Sequence, residues 1–302
     1  MQSDIDRCHE LQLFLDGLRN VQHLLQPDQL AVRLKALDKL DALLGAPDLG
    51  VLDQGAPERC SNPAILACAK TLRSRFEAAN ETLYAAARRE ISQQGNSPSL
   101  HQWLTELANA ESTERPDPGL GFDLLDEIVS DIFHFRSPGE TGFQLSPEMV
   151  PYQPTPVRHI LDLIRACQLS GNDILVDLGS GLGQVPLLVS ILTGVSTLGI
   201  ELQPDYVANA QDAARNLNLS RVRFLAEDVR ITDLSSGTVF YLFTPFTGSI
   251  LSDVLHHLHE QSQKQQIRIC TLGPCTRTLQ AQPWLTANSP PDTERITVFQ
   301  SQ

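Results

Sequence analysis

The chain has 302 residues, 41% hydrophobic and 20% charged, with a formal net charge of −13 at pH 7. That composition excludes collagen-like, coiled-coil and disordered classes, and the acidity disfavours nucleic-acid and anionic-membrane partners, whose phosphates it repels. No apolar run approaches the ~20 residues that span a bilayer, and the acidic N-terminus lacks an apolar h-region, so a cytoplasmic protein without membrane contact is expected.

The length suggests two domains, and the sequence changes character near residue 150. Residues 1–150 hold 13 basic and 23 acidic residues, against 10 and 13 in the remainder. The first half reads as helices. Leu11, Phe14, Leu15 and Leu18 share one helical face. Pro27-Asp28 opens a helix with Leu30, Leu34, Leu37, Leu40 and Leu44 at helical spacing, and Gly45 stops it. Residues 46–61 carry two Pro and two Gly and predict a loop. Asn62-Pro63 caps an Ala-rich helix to about Gln93. Ser97-Pro98 starts a short helix with Trp103, Leu104 and Leu107. Residues 111–121 predict a polar linker, and Phe122 to Phe135 a last helix. The expected divisions are an α-helical domain 1–135, a linker or lid 136–156, and a second domain 157–302. No chemical constellation stands out in the helical part, so a role in substrate binding or dimerisation is expected of it.

Six cysteines lie at positions 8, 60, 68, 167, 270 and 275. None forms a CxxC, and no histidine joins them at zinc spacing, so no metal site is expected. Reduced thiols are expected, with Cys68 and Cys167 as small core residues.

The second half alternates. Strands are predicted at 174–176, 196–200, 222–226, 239–243, 267–271 and 295–299, with helices at 185–192, 204–217 and 250–261. Such alternation predicts an α/β domain, a mostly parallel sheet with helices on both faces. Its informative stretch is Asp177-Leu-Gly179-Ser180-Gly181-Leu-Gly183-Gln184-Val185. A strand ends in an acid, then a glycine-rich turn opens a helix, whose N-terminus presents unpaired N–H groups. A dinucleotide fingerprint places its third glycine where Gln184 stands. Asp177 repels a pyrophosphate and suits an ammonium. Glu201, ending the second strand, can accept both hydroxyls of an adenosine ribose. Asp228, after the third strand, can accept from an adenine exocyclic amine while Val229 covers the ring. Three acids thus end three successive strands, at the sheet edge where open α/β folds bind ligands.

On these residues the chain resembles the class I S-adenosylmethionine-dependent methyltransferases over about residues 150–300. Asp177, Gly179, Gly181 and Gly183 match the first motif of that family, Glu201 the second and Asp228 the third. The resemblance implies a Rossmann-like seven-stranded sheet with a reversed last strand, and S-adenosyl-L-methionine as cofactor. The loop Asp177–Val185 is also similar to that of the histone-lysine methyltransferases lacking a SET domain, and Tyr152-Gln-Pro-Thr155-Pro is similar to their segment over the methionine end of the cofactor. The likeness implies that Tyr152, Thr155, Ser180 and Gln184 contact the cofactor, with Tyr152 also a candidate catalytic residue beside Thr244 and Phe246. The chain departs from that family where its fourth strand carries an Asn: here Thr244-Pro245-Phe246 follows. Thr244 is expected to accept a hydrogen bond near the transferred methyl, with Phe246 as a wall. A Thr-Pro turn of purely structural use reads equally well.

His256, His257 and His259 lack the i, i+4 pattern of a metal helix and are expected at the surface. Cys270 and Cys275 flank a Gly-Pro turn, but the strand-four cysteine that a covalent mechanism needs is absent. The expected activity is methyl transfer to an amine, a protein lysine or a small molecule. The rivals are a cofactor-binding scaffold without turnover and a nicotinamide-dependent oxidoreductase.

Overall fold

A computed structural model describes residues 2–18, 20–45, 60–114, 120–136 and 144–302. The chain forms two compact units, Met1–Ala86 and Ala87–Gln302. Much of the loop predicted at 46–61 lies outside the described residues, as does part of the 136–156 linker.

The first unit holds α1 (Gln2–Gly17), α2 (Val21–Leu24), a 3₁₀ turn (Pro27–Gln29), α3 (Leu30–Leu44) and the start of α4 (Pro63–Gln94). Gly45 ends α3 in the left-handed region, and the Asn62 side chain accepts from the amides of Ala64 and Ile65 at the start of α4, as helix-end chemistry requires. Leu11, Leu40 and Phe76 are fully buried in its core. Arg33 is also fully buried. It donates to Asn80 Oδ1 at 2.7 Å and to the Leu24 and Gln26 carbonyls at 2.7 and 2.5 Å, which ties it to the turn after α2. Two cysteine expectations are corrected here. Cys8 and Cys60 are joined in a disulfide, with Cα atoms 4.6 Å apart; only packing brings together positions that sequence spacing does not pair. Cys68 is exposed, not core.

The second unit adds α5 (Pro98–Glu114), α6 (Leu124–Phe133) and α7 (Val157–Cys167). Residues 111–114, expected in a linker, continue α5. A capping box of Asp123 and Asp126 starts α6. Asp126 Oδ1 also accepts from the Val157 amide at 2.8 Å, and Arg158 pairs with Asp123 at 2.6 Å. The two carboxylates therefore fasten the start of α7 to the start of α6, which fixes the stretch just before Val157. Burial pushes the Asp126 carboxyl up to about 6.

The sheet comprises β1 (Ile174–Leu178), β2 (Ser196–Glu201), β3 (Val222–Ala226), β4 (Val239–Leu242), β5 (Arg268–Thr271), β6 (Leu285–Ala287) and β7 (Thr297–Ser301), with α8 (Gln184–Thr193), α9 (Pro204–Asn216), α10 (Gly248–Ser262) and α11 (Cys275–Gln280) between them. The strand order is β3-β2-β1-β4-β5-β7-β6. β7 is antiparallel to both its neighbours, and the pairings among β1 to β5 are parallel. Leu175, Val176, Val239 and Phe240 are fully buried, as strands covered on both faces must be. The order reverses between β1 and β4, the point where such sheets open a ligand crevice. The strand predicted at 295–299 lies at 297–301, and β6 and α11 are additions to the predicted set. Each is too short to display its own period.

Candidate active site

The predicted acids do converge at the carboxyl edge of the sheet, around a cavity of about 580 Å³. Asp177 is the next-to-last residue of β1, in register between Gly199 of β2 and Tyr241 of β4. It is 4% exposed, and its carboxylate has no hydrogen-bond partner among the described residues. Burial, and then the charge of Glu201, push it up to about 8. An acid so placed costs free energy as an anion until a cation meets it.

The glycine loop is built differently from a bare cradle. Gly179 and Gly181 have φ of +85° and +52°, and a Cβ on them would lie 2.4 Å from Pro245 Cβ and 2.0 Å from the Tyr152 ring. Gly183 leaves room for the Phe224 ring in the same way. The glycines therefore seat protein side chains against the loop, and Tyr152 covers it from the cavity side. The Gly181 amide donates to Glu201 Oε2 at 3.0 Å, and the Gln203 amide to Oε1 at 2.9 Å. Each Glu201 oxygen keeps a lone pair for a further donor, as a sugar hydroxyl pair requires. The buried Ser180 hydroxyl has no partner among the described residues.

Asp228 departs from its expected state. Arg230 binds it with its backbone amide, with Nε to both oxygens, and with Nη2 at 2.6 Å. The guanidinium holds that carboxyl below its ordinary range. Val229 is 8% exposed and lines the cavity beside it.

The segment before α7 is strapped down. The Val150 amide donates to Pro245 O at 3.0 Å, the Thr247 amide to Glu148 O at 2.8 Å, and Met149 pairs with Phe246 in an antiparallel bridge. Glu148 caps α10 by accepting from Ser249 N and Ile250 N. The Tyr152 ring lies 5.3 Å from that of Tyr206, and burial raises its hydroxyl pKa. Gln184 Nε2 donates to the Thr155 carbonyl at 3.0 Å, while Thr155 Oγ1 is 3.1 Å from the Tyr241 hydroxyl. Gln184 thus ties the strap to the start of α8.

Thr244 and Phe246 both border the cavity, and the Thr244 hydroxyl has two partners within the fold. It donates to Leu272 O at 3.0 Å and accepts from the Cys275 amide at 3.1 Å. Those bonds hold Thr244 at φ +44°, strained for a β-branched residue. Its proton is spent on the β5 loop, and one of its two acceptor positions is left for a further donor. Among histidines, His256 is 3.5 Å from Glu260, and His259 stacks on Trp284 at 4.8 Å. Among the described residues no three metal-binding side chains converge. Cys270 lies buried with its sulfur 2.8 Å from that of Cys167. Sequence reasoning missed Tyr241, Tyr206, Arg230 and Met149 at the site. Of these, Tyr241 carried a readable signal: it is the next-to-last residue of β4, as Asp177 is of β1.

Residues 149–239 match a protein-family model described as the histone methylation protein DOT1. No curated protein matches the chain in sequence. Among solved structures, an RNA methyltransferase from Salinibacter ruber in complex with S-adenosyl-L-homocysteine is 26% identical, over 49% of this chain and 92% of that one, at a TM-score of 0.40. A SAM-dependent methyltransferase from Thiobacillus denitrificans, also with S-adenosyl-L-homocysteine, is 21% identical over 41% of this chain and 49% of its own, at 0.33. A human methyltransferase 10 domain containing protein is 14% identical over 58% and 91%, at 0.39. The strand order with its single reversed strand is that of the Rossmann-like class I methyltransferase fold, and the glycine loop lies inside the matched stretch. Its loop is similar to that of the non-SET histone methylation family.

Proposed function

We propose that the chain transfers a methyl group from S-adenosyl-L-methionine to an amine, either a protein lysine or a small molecule. The carrying observation is Asp177, a buried carboxylate facing the cavity with no partner among the described residues. The amino-acid ammonium of this cofactor is the cation such a group needs, and Glu201 has lone pairs for its ribose. Asp228 fits its base once the carboxylate is exposed. Thr155, Ser180 and Gln184 line the same cavity and are assigned to the methionine end of the cofactor. When bound, the sulfonium supplies an electrophilic methyl for in-line displacement. The chain's part is to hold acceptor, methyl and sulfur in line and to exclude water. The strap, with Tyr152 over the loop, covers the cofactor, and Phe246 walls the acceptor side. The helices before residue 136 are assigned to substrate binding or dimerisation.

Calorimetry with S-adenosylhomocysteine tests this. The wild type binds, and Asp177→Asn loses about 10- to 100-fold, the worth of a hydrogen-bonded charge. No binding at millimolar ligand by the folded wild type rejects the reading. A second reading, a cofactor-binding module without turnover, is favoured by the committed Thr244 hydroxyl. Transfer of label from the cofactor to any acceptor in cell extract decides between the two.

A further inference from the structure

Asp228 can accept at about four lone-pair positions, and one residue fills them. Its Oδ1 accepts from the Arg230 amide at 3.0 Å and from Nε at 3.0 Å; its Oδ2 accepts from Nη2 at 2.6 Å and from Nε at 3.1 Å. Neither side chain has a further hydrogen-bond partner among the described residues. Both line the cavity, so the pair closes the carboxylate at the place where a base amine would donate. Arg230 is 43% exposed at its side chain, so the ion pair is a weak one. A second destination exists for the guanidinium, because Glu148 on the strap and Asp253 on α10 also face it electrostatically.

We propose that Arg230 is an internal stand-in for the cofactor's base: the exocyclic amine of adenine displaces its guanidinium from Asp228, and the guanidinium turns toward Glu148 and Asp253. This rests on the cofactor reading above and adds to it. Arg230 sets the threshold that a base must pass. An amine donor can replace it on a carboxylate, whereas a base with a carbonyl at the same position cannot. The movement also carries a positive charge from the base pocket toward the strap, so base identity and strap position become linked.

Titration calorimetry on the full chain tests the proposal with S-adenosylhomocysteine and S-inosylhomocysteine, which differ in that exocyclic group and in the N1 proton that accompanies the carbonyl. The wild type prefers the adenosyl compound. Arg230→Ala binds the adenosyl compound about three- to fivefold more tightly, the range of the exposed ion pair it removes. Asp228→Ala abolishes the preference, and adding Arg230→Ala to it changes nothing further, since the two residues act through one contact. Weaker or unchanged adenosyl binding by Arg230→Ala overturns the proposal and leaves Arg230 a support or a bystander. Persistence of its effect in the Asp228→Ala background overturns it too. If the folded wild type binds neither compound, the cofactor reading itself falls, an outcome distinct from wild-type binding that Arg230→Ala fails to tighten.

Discussion

Asp177 and Glu201 bring the same functional group to neighbouring strand ends, yet they do different work. Glu201 is held by two backbone amides, while Asp177 has only burial around it. Below pH 8 the empty site therefore keeps a proton on Asp177. Pairing with an ammonium requires that proton to leave. The affinity for S-adenosylhomocysteine is expected to rise with pH from 6 to 8, by up to about tenfold per unit, and to level off above 8. Calorimetry at pH 7 in two buffers of different ionisation enthalpy should report close to one proton released, and Asp177→Asn should release none. A pH-independent affinity in the wild type would show that Asp177 is not the ammonium partner.

At the level of elements, the site is a joint between strands and strap. β1 ends in the loop that seats Pro245 and Tyr152, and β4 ends in the turn that binds Val150. Gly181→Val places a branched side chain at φ +52° and drives its Cβ into the Tyr152 ring. The expected cost is a few kcal/mol of stability, measurable in urea, along with loss of nucleoside binding. Gln184→Ala removes the bond to the Thr155 carbonyl and leaves a buried oxygen unpaired. About 1–3 kcal/mol of destabilisation is expected, with faster hydrogen exchange across residues 150–156. Unchanged exchange there would mean that the strap is held by Pro245 and Thr247 alone.

For the whole molecule, the folded state holds protons that the unfolded chain releases near pH 4. Asp126 is pushed to about 6 and Asp177 to about 8. Folded protein thus binds more protons between pH 4 and 8, and the contribution of both groups to stability falls as pH rises through that window. Asp173, ion-paired to Arg268 and held well below the carboxylate range, acts in the opposite sense, giving stability that is lost only on acidification below its window. The Tm of Asp177→Asn should therefore decline less than that of the wild type between pH 6 and 8.5, without ligand. An equal decline would remove Asp177 from the account. The Cys8–Cys60 link gives a second whole-chain test. Thiol titration in denaturant should count four before reduction and six after it, and six at both stages would show the pair open.

What the sequence determined by itself is the part governed by local periodicity and by motif order. The leucine spacing of α3, the Asn62 cap and the strand–loop–helix around Asp177 are short-range patterns, and they place the acids at the strand ends because an open parallel sheet puts every strand end on one edge. Tertiary structure decided how those acids are used. Asp177 is enclosed by β2 and β4, which only packing brings to it, and the arginine two residues after Asp228 shows its pairing only once the turn has formed. The Thr244 proton likewise has no visible destination in the local sequence until the β5 loop, some 28 residues later, takes it. Such assignments depend on which distant segments compete for a polar atom, and that competition takes place only once the chain has packed.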